Sequence, residues 1–366
     1  MVDIARVLRR AWHILWNYRV LWIFGLLLAI TGGTGGASGS RISPSGRFPG
    51  TSPSASAFGQ TFNHWAQQTL YPIFLNLERY LPTLIAVLVV LLLLGLLVAL
   101  VLAVLRYVSQ AAVIRMVNEY EETGRKVGFS QGWQMGWSRA AFRIWVIDLI
   151  LAVPVLAFAL VLIGLGLAVY FLVRGGLSVL AVAGLAVLLV ILFLVILVFI
   201  VGIILLVLLS QFFKRCVALE NVSVMESIRR GWGLFRRNWK SAVLVWLFMV
   251  AVAIAWAIAG VVVTILLVPV FVLLALPGLV VAVFPALVAF GIANLFVGSP
   301  WTWVVAGLAG VPFFLLVVGS PLLLLSGWVQ IFSSSVWTLT YREMRALEAS
   351  VGPAPGDLRP DASPTG

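Results

Sequence analysis

The sequence predicts an all-α protein, a polytopic transmembrane helical bundle of about six spans, and three observations lead to this prediction. Of its 366 residues, 63% are hydrophobic and only 10% are charged, whereas soluble proteins have about a quarter charged residues. Several apolar runs exceed 18 residues, among them 81–105 and 177–209, and each could cross a hydrocarbon core about 30 Å thick. These runs do not alternate polar and apolar residues, which favours helices over a β-barrel.

Six segments are the predicted spans, and they pair as three hairpins: 20–31 (extended by the helix before it), 81–105, 144–173, 177–209, 242–268 and 303–338. The segment 268–300 is equally apolar but contains Pro269, Pro277 and Pro285, and prolines break or kink helices. We expect this broken segment to be re-entrant or confined to the outer leaflet. The alternative is one strongly kinked extra span.

The distribution of positive charge predicts the orientation. The N-terminus, the 106–143 connection, the 210–240 connection and the C-terminus hold four, six, seven and three Lys and Arg residues, 20 of the 24 in the chain. Cytoplasmic loops are enriched in such residues, so six spans place both termini in the cytoplasm of a multi-pass cell-membrane protein. A seventh full span would put Arg342 and Arg345 on the opposite side.

Residues 1–349 are expected to form one integral membrane domain. The external loop 32–62 and the cytoplasmic tail 350–366 are rich in Gly, Ser and Pro and are predicted to be disordered. The N-terminus resembles a secretory signal peptide, with arginines before the short apolar run 20–30. Because this run takes the same place as the third and fifth spans in the repeat described next, we expect it to be retained.

A threefold internal repeat is predicted, in which a cytoplasmic amphipathic helix precedes each hairpin. The three helices read IARVLRRAWHILWNYR, FSQGWQMGWSRAAFRI and SIRRGWGLFRRNWKS, and each has a small residue before a Trp: Ala11-Trp12, Gly136-Trp137 and Gly231-Trp232. The second and fourth spans both end in Ser-Gln followed by a cation and Glu. Convergence through shared membrane composition is the alternative explanation.

The third amphipathic helix is the most basic of the three. On a helical wheel, Ile228, Trp232, Phe235 and Trp239 form one face, and the cations lie opposite. Such a helix typically lies in the headgroup region with Trp at the interface and Arg toward lipid phosphates. The lipid-interface candidates are Arg229, Arg230, Trp232, Arg236, Arg237, Trp239 and Lys240. A specific docking site for a headgroup or an unknown membrane or cytoplasmic protein is the sharper alternative, and nucleic acid is not an expected partner because aromatics and cations are not interleaved.

Four polar residues within or beside the spans are the intramembrane candidates: Asp148, Gln110, Gln211 and Gln330. Asp148 is expected to pair with Arg143 or Arg139 near the interface. A proton or cation relay would need a second deep ionisable group, and none is expected. The glutamines, with Asn294, are expected to form interhelical hydrogen bonds.

No catalytic constellation is found in the sequence. The chain has one cysteine, Cys216, and two histidines, His13 and His64, and it contains no HExxH, GxSxG or Walker-type motif. We therefore expect no catalytic, cofactor-binding or metal-binding residue, and we expect the protein not to be an enzyme.

The helix VSVMESIRRGWGLFRRNWKS, together with a last span that ends in TLTYREMR, resembles a bacterial membrane-domain superfamily. That domain also occurs fused to glycerophosphodiester phosphodiesterases. The resemblance covers about residues 106–347 and implies a stand-alone polytopic membrane protein of the bacterial type, connected with lipids. In the fused relatives a separate barrel carries out hydrolysis, and nothing in this chain corresponds to it.

Two functions are consistent with the sequence. The first is a non-enzymatic membrane protein that organises or regulates membrane components through its basic interfacial helices, with anionic headgroups as partners. The alternative is a transporter or lipid-translocating protein, which the repeat and the broken segment would suit.

Overall fold

The computed structural model describes residues 3–32, 77–174, 179–296 and 301–351, and all eleven elements in these ranges are helices. In chain order they are α1 (Ile4–Asn17), α2 (Val20–Ile30), α3 (Leu77–Thr123), α4 (Phe129–Gly136), α5 (Arg139–Arg174), α6 (Val179–Glu220), α7 (Val224–Arg237), α8 (Trp239–Leu266), α9 (Val268–Phe296), α10 (Trp301–Val318) and α11 (Ser320–Val351). The all-α polytopic bundle is confirmed. Of the segments predicted to be disordered, 33–62 and 352–366 lie outside the described residues.

Six of the described helices are long and apolar enough to cross a membrane: α3, α5, α6, α8, α9 and α11. The predicted first span is the 11-residue helix α2, which at 1.5 Å per residue is too short to cross alone. Together with α1, to which it is joined at an angle of 98°, it would form a seventh, bent span. The chain is therefore a multi-pass membrane protein.

The region 268–338 differs from the prediction. The structure has one helix through Val268–Phe296, with Pro277 and Pro285 inside it, rather than two half-helices. The segment expected to be a single sixth span is divided at Gly319 into α10 and α11. Pro321, in the first turn of α11, suits a helix start because the missing N–H would have no intrahelical partner there. The number of apolar helices after α8 is therefore three, not two.

The described chain forms two compact units, and the described residues of the smaller are 77–104, 257–296 and 301–323. Within it, α9 and α10 pack against each other as a helical hairpin. A Cβ atom on Gly310 would lie 3.0 Å from the carbonyl oxygen of Ala282, and one on Gly278 would lie 3.3 Å from the Phe314 ring. Small residues at these positions let the two helices approach closely, as in other membrane helix pairs.

The described residues of the larger unit are 3–32, 105–174, 179–256 and 324–351. Its core is formed by the C-terminal halves of α3, α6 and α11, with the amphipathic helices around them. The largest fully buried side chains include Ile114, Phe212 and Trp337, one from each of these long helices. Helix α2 crosses α11 where Gly25 faces Gly327, and a Cβ on Gly25 would lie 2.8 Å from the Gly327 carbonyl oxygen.

Candidate functional site

The three amphipathic helices α1, α4 and α7 share one local construction. Their N-cap residues, Asp3, Gly128 and Ser223, each precede a buried small residue by eight positions. The side chains of Asp3 and Ser223 accept hydrogen bonds from the backbone N–H three residues later, which is the usual way to satisfy the first turn. The middle helix lacks this bond because Gly128 has no side chain.

The buried small residue of each helix faces another element of the core. A Cβ on Gly136 would lie 2.4 Å from the Val108 carbonyl oxygen of α3, and one on Gly231 would lie 2.6 Å from the Phe213 ring of α6. The third small residue, Ala11, is fully buried, and its helix contacts α11 through ring pairs such as Trp12 with Phe332 and Trp16 with Trp328. These equivalent positions support the predicted threefold repeat.

The Trp that follows each small residue is oriented outward. Trp12, Trp137 and Trp232 are 47%, 62% and 49% exposed. A large amphipathic ring that is half-exposed beside an apolar span is typical of a membrane–water interface. The three positions of the predicted repeat therefore carry tryptophans at the surface of this unit.

The cations of α7 fall into two groups. Arg230 bonds to the carboxylates of Glu220, at 3.1 Å, and of Glu226, and Arg237 donates to Glu348 at 2.8 Å. The hydrogen bond to Glu220 raises the pKa of the Arg230 guanidinium. These two arginines attach α7 to α6 and α11.

The other cationic candidates, in α7 and at the start of α8, are exposed and have no carboxylate partner among the described residues. Arg229 and Arg236 make no hydrogen bond or ion pair with any described residue, and the Lys240 amine lies 6.0 Å from the Trp239 ring centroid. Trp239 is 52% exposed. Of the five predicted cations, three are therefore unpaired, whereas the other two, also at the surface, are held in ion pairs.

Glu220, which sequence analysis did not single out, joins three helices. Its carboxylate accepts hydrogen bonds from Arg230 of α7 and from Tyr341 and Arg345 of α11. The sequence does contain an indication of this residue, since Glu220 is the Glu that follows the cations at the end of the fourth span. Its partners, however, lie more than 100 positions away along the chain or across a turn, so no local pattern could identify them.

Two further arginines bind the turn that follows Glu220. Asn221 has φ of 53°, in the left-handed region that commonly ends a helix. Arg115 donates to the Ala218 carbonyl at 2.9 Å and to the Asn221 side chain at 2.7 Å, and Arg143 donates to the Asn221 and Val222 carbonyls at 2.6 and 3.0 Å. These cations satisfy the unpaired carbonyls at the C-terminus of α6.

The predicted pairing of Asp148 with Arg143 or Arg139 is wrong. Asp148 bonds to Lys214 of α6, with 2.6 Å between Oδ1 and Nζ, and the Lys214 side chain is only 8% exposed. Arg143 instead binds the backbone after α6. A second buried ionisable group therefore exists, although none was expected. Sequence analysis placed Lys214 in a basic connection between spans, whereas in the structure it belongs to the continuous helix α6 and lies in the core.

Gln211 does not form the predicted interhelical hydrogen bond with any described residue. Its side-chain oxygen accepts from Arg215 one turn later in the same helix, at 2.8 Å, and Arg215 also donates to the Ser334 carbonyl of α11 at 3.2 Å. The Gln330 oxygen is buried without a hydrogen-bond partner among the described residues. Gln110 is half-buried and Asn294 is exposed.

A groove of about 470 Å³ lies where α6, α7 and α8 meet. Its walls are almost wholly apolar, and its single charged residue is Arg236; the lining residues are Val201, Ile204, Leu205, Leu208, Trp232, Phe235, Arg236, Trp239, Val243 and Trp246. Three of the α7 and α8 candidates, Trp232, Arg236 and Trp239, thus surround one cavity. Asp148, Gln110, Gln211 and Gln330 do not line it.

The described ranges bring no three His, Cys, Asp or Glu side chains together in an arrangement that could hold a metal ion. What the site offers chemically is an apolar cavity, amphipathic indole rings and uncompensated positive charge.

A protein-family model matches residues 4–339, and the family is described as one of unknown function (DUF7544). No curated protein and no solved structure matches the chain.

Proposed function

The chain belongs to DUF7544, a family of unknown function, and we propose that it is a non-enzymatic protein that organises or regulates membrane components by binding anionic lipid headgroups. The observation that carries this proposal is a division among the cations of α7 and the start of α8. Arg229, Arg236 and Lys240 are exposed and have no carboxylate partner among the described residues, whereas Arg230 and Arg237, although also exposed, are held in ion pairs with carboxylates of α6 and α11. Each cation near an anionic leaflet contributes about 1 kcal/mol.

The proposed orientation puts this surface and both termini in the cytoplasm and the protein in the cell membrane. The C-terminal ends of α3, α6 and α11 lie on the same side as α1 and α7, since Arg10 bonds to Glu121, Arg342 to Asn118 and Arg345 to Glu220. This is the side with most of the cations, as the positive-inside rule requires of a cytoplasmic face.

The test compares two matched variants of the full chain in bilayers of phosphatidylglycerol and phosphatidylcholine. Replacing Arg229, Arg236 and Lys240 with Gln removes the cations that lack a carboxylate partner, and replacing Arg230 and Arg237 with Gln removes the ion-paired cations of α7. Spin-labelled lipids report the relative association of the two headgroups with the protein. We expect the first variant to lose most of its preference for phosphatidylglycerol and the second to keep it.

Raised salt should weaken the wild-type preference in the same assay, because exposed charges are screened. Equal loss in both variants, or no preference in the wild type, would contradict the proposal. Thermal unfolding of each variant checks that replacing the arginines has not disrupted the fold.

Transport or lipid translocation is retained as the alternative function. The repeat-like construction favours it, whereas the bonding of Asp148 to Lys214 and of Gln211 to Arg215 leaves these polar groups engaged within the protein. The resemblance to the membrane domain of glycerophosphodiester phosphodiesterases, and the expected absence of cofactors and nucleic-acid partners, stay predictions.

A further inference from the structure

We propose that the groove between α6, α7 and α8 is a discrete binding site for one anionic phospholipid, with an acyl chain between the helices and the phosphate on Arg236. This inference rests on the proposed function and makes it more specific. A surface of exposed cations attracts many lipids weakly and exchangeably, whereas this cavity would hold one molecule in a fixed place.

The apolar part of the groove suits an acyl chain. Its α6 wall runs from Val201 to Leu208 and its α8 wall from Trp239 to Trp246, each about 10 Å long at 1.5 Å per residue. Its volume of about 470 Å³ falls within the range of about 300 to 1,000 Å³ typical of small-molecule sites. An elongated, flexible hydrocarbon fits such a cavity without requiring any polar partner from its walls.

One end of the groove differs from the rest. Arg236 and Trp239 lie where α7 ends and α8 begins, which is the level at which the amphipathic helix gives way to an apolar span. The Arg236 guanidinium has no protein partner among the described residues, and such a group binds phosphate oxygens through two parallel hydrogen bonds. The indole rings of Trp232 and Trp239 are suited to the boundary between headgroup and chain.

Charge complementarity therefore selects the occupant. An uncompensated cation at the mouth favours a ligand with net negative charge, and the apolar walls require that the rest of the ligand be hydrocarbon. A phospholipid with an anionic headgroup has both parts in the right order. A zwitterionic lipid would leave part of this charge uncompensated, and a helix from a partner protein would leave Arg236 without a phosphate.

The experiment counts lipids that stay bound to the full chain. Protein is transferred from nanodiscs of equal phosphatidylglycerol and phosphatidylcholine into mild detergent, and native mass spectrometry measures how many of each lipid are retained. Arg236→Gln removes the phosphate partner, and Val243→Phe fills the groove without changing charge. The matched controls are Arg125→Gln, an exposed cation away from the groove, and Leu244→Phe, an exposed neighbour outside the lining.

We expect the wild type and both controls to retain one phosphatidylglycerol that Arg236→Gln and Val243→Phe lose, with occupancy reduced at least tenfold and partly restored by Arg236→Lys. Equal retention of phosphatidylcholine, or copurification of a protein instead of a lipid, would overturn the assignment. Retention that falls equally in Arg236→Gln and Arg125→Gln but survives Val243→Phe would overturn the discrete site and leave the charged surface intact. No phosphatidylglycerol preference in the bilayer assay would overturn the proposed function itself.

Discussion

At the scale of single residues, the pair of Asp148 and Lys214 is a costly electrostatic feature of the core. The Lys214 side chain is 8% exposed and the Asp148 side chain 23% exposed, and the attraction between the two charges has to offset their desolvation. Because the two groups lie 2.6 Å apart, each neutralises the other. Removing one partner of such a pair destabilises the fold far more than removing both, because the remaining charge stays buried without compensation.

We predict that Asp148→Asn lowers the free energy of unfolding by about 3 to 5 kcal/mol, because it leaves the Lys214 charge buried without its partner. The double replacement Asp148→Leu with Lys214→Met should recover most of this loss. Thermal unfolding in detergent measures both. Arg6→Gln is the control, since its partner Asp3 is exposed and such surface pairs contribute about 0 to 1 kcal/mol. A double variant as unstable as the single one would contradict this explanation.

At the scale of elements, two glycines of α4 and α7 lie at close contacts with a neighbouring helix, and a third lies at none. Gly136 faces backbone of α3, Gly231 faces the ring of Phe213, and a Cβ on Gly233 would meet only the end of Arg237 at 3.7 Å. Backbone cannot move aside without displacing a helix, whereas a ring can rotate. The order of sensitivity follows from these differences.

We predict that Gly136→Ala lowers the melting temperature most, Gly231→Ala less, and Gly233→Ala not at all. Gly233→Ala may be compared directly with Gly231→Ala because both lie in α7, and at Gly233 the gain in helix propensity is about 0.5 to 1 kcal/mol. Unfolding of the three purified variants under one set of conditions gives the order. If Gly233→Ala were as damaging as Gly136→Ala, the close approach would not be the cause.

At the scale of the whole molecule, the ends of the long helices fix the parity of the membrane crossings. The C-terminal ends of α3, α6 and α11 are bonded to one another through Arg342 and Arg345, so an even number of crossings separates any two of them. The α9–α10 hairpin adds either two crossings or none, so it does not change this parity. The cation-rich segments therefore stay on one side of the membrane, although α9 is long enough to span it.

We predict that single cysteines at Arg125 and Ser350 are labelled from one side of the membrane and one at Ser52 from the other. The background is Cys216→Ser, although the native thiol is buried and reacts slowly. An impermeant maleimide applied to sealed inside-out and right-side-out vesicles reports the side. Labelling of Arg125 and Ser350 positions from opposite sides would contradict the shared face.

The fold class was predictable because the length and apolarity of each span are properties of the sequence alone. The amphipathic helices were also predictable from the helical period, but Arg236, which was predicted to lie opposite Trp232, lines the same groove as that ring because the two residues are one turn apart. The division at Gly319 was missed because apolar residues continue on both sides of it. The roles of Glu220 and Lys214 were missed because their partners lie on other helices, and only the folded chain shows that Arg230 and Arg237 are held in ion pairs.

The contacts between α1 and α11 have a consequence for biogenesis. The ribosome makes α1 before α11, so the ring pairs of Trp12 with Phe332 and Trp16 with Trp328 form only after α11 has been made. Until then, the face of α1 that carries Val7, Ile14 and Leu15, buried in the folded protein, lacks this cover. An amphipathic helix can lie on the bilayer surface, and the nascent chain thus uses lipid as a temporary partner before α11 replaces it.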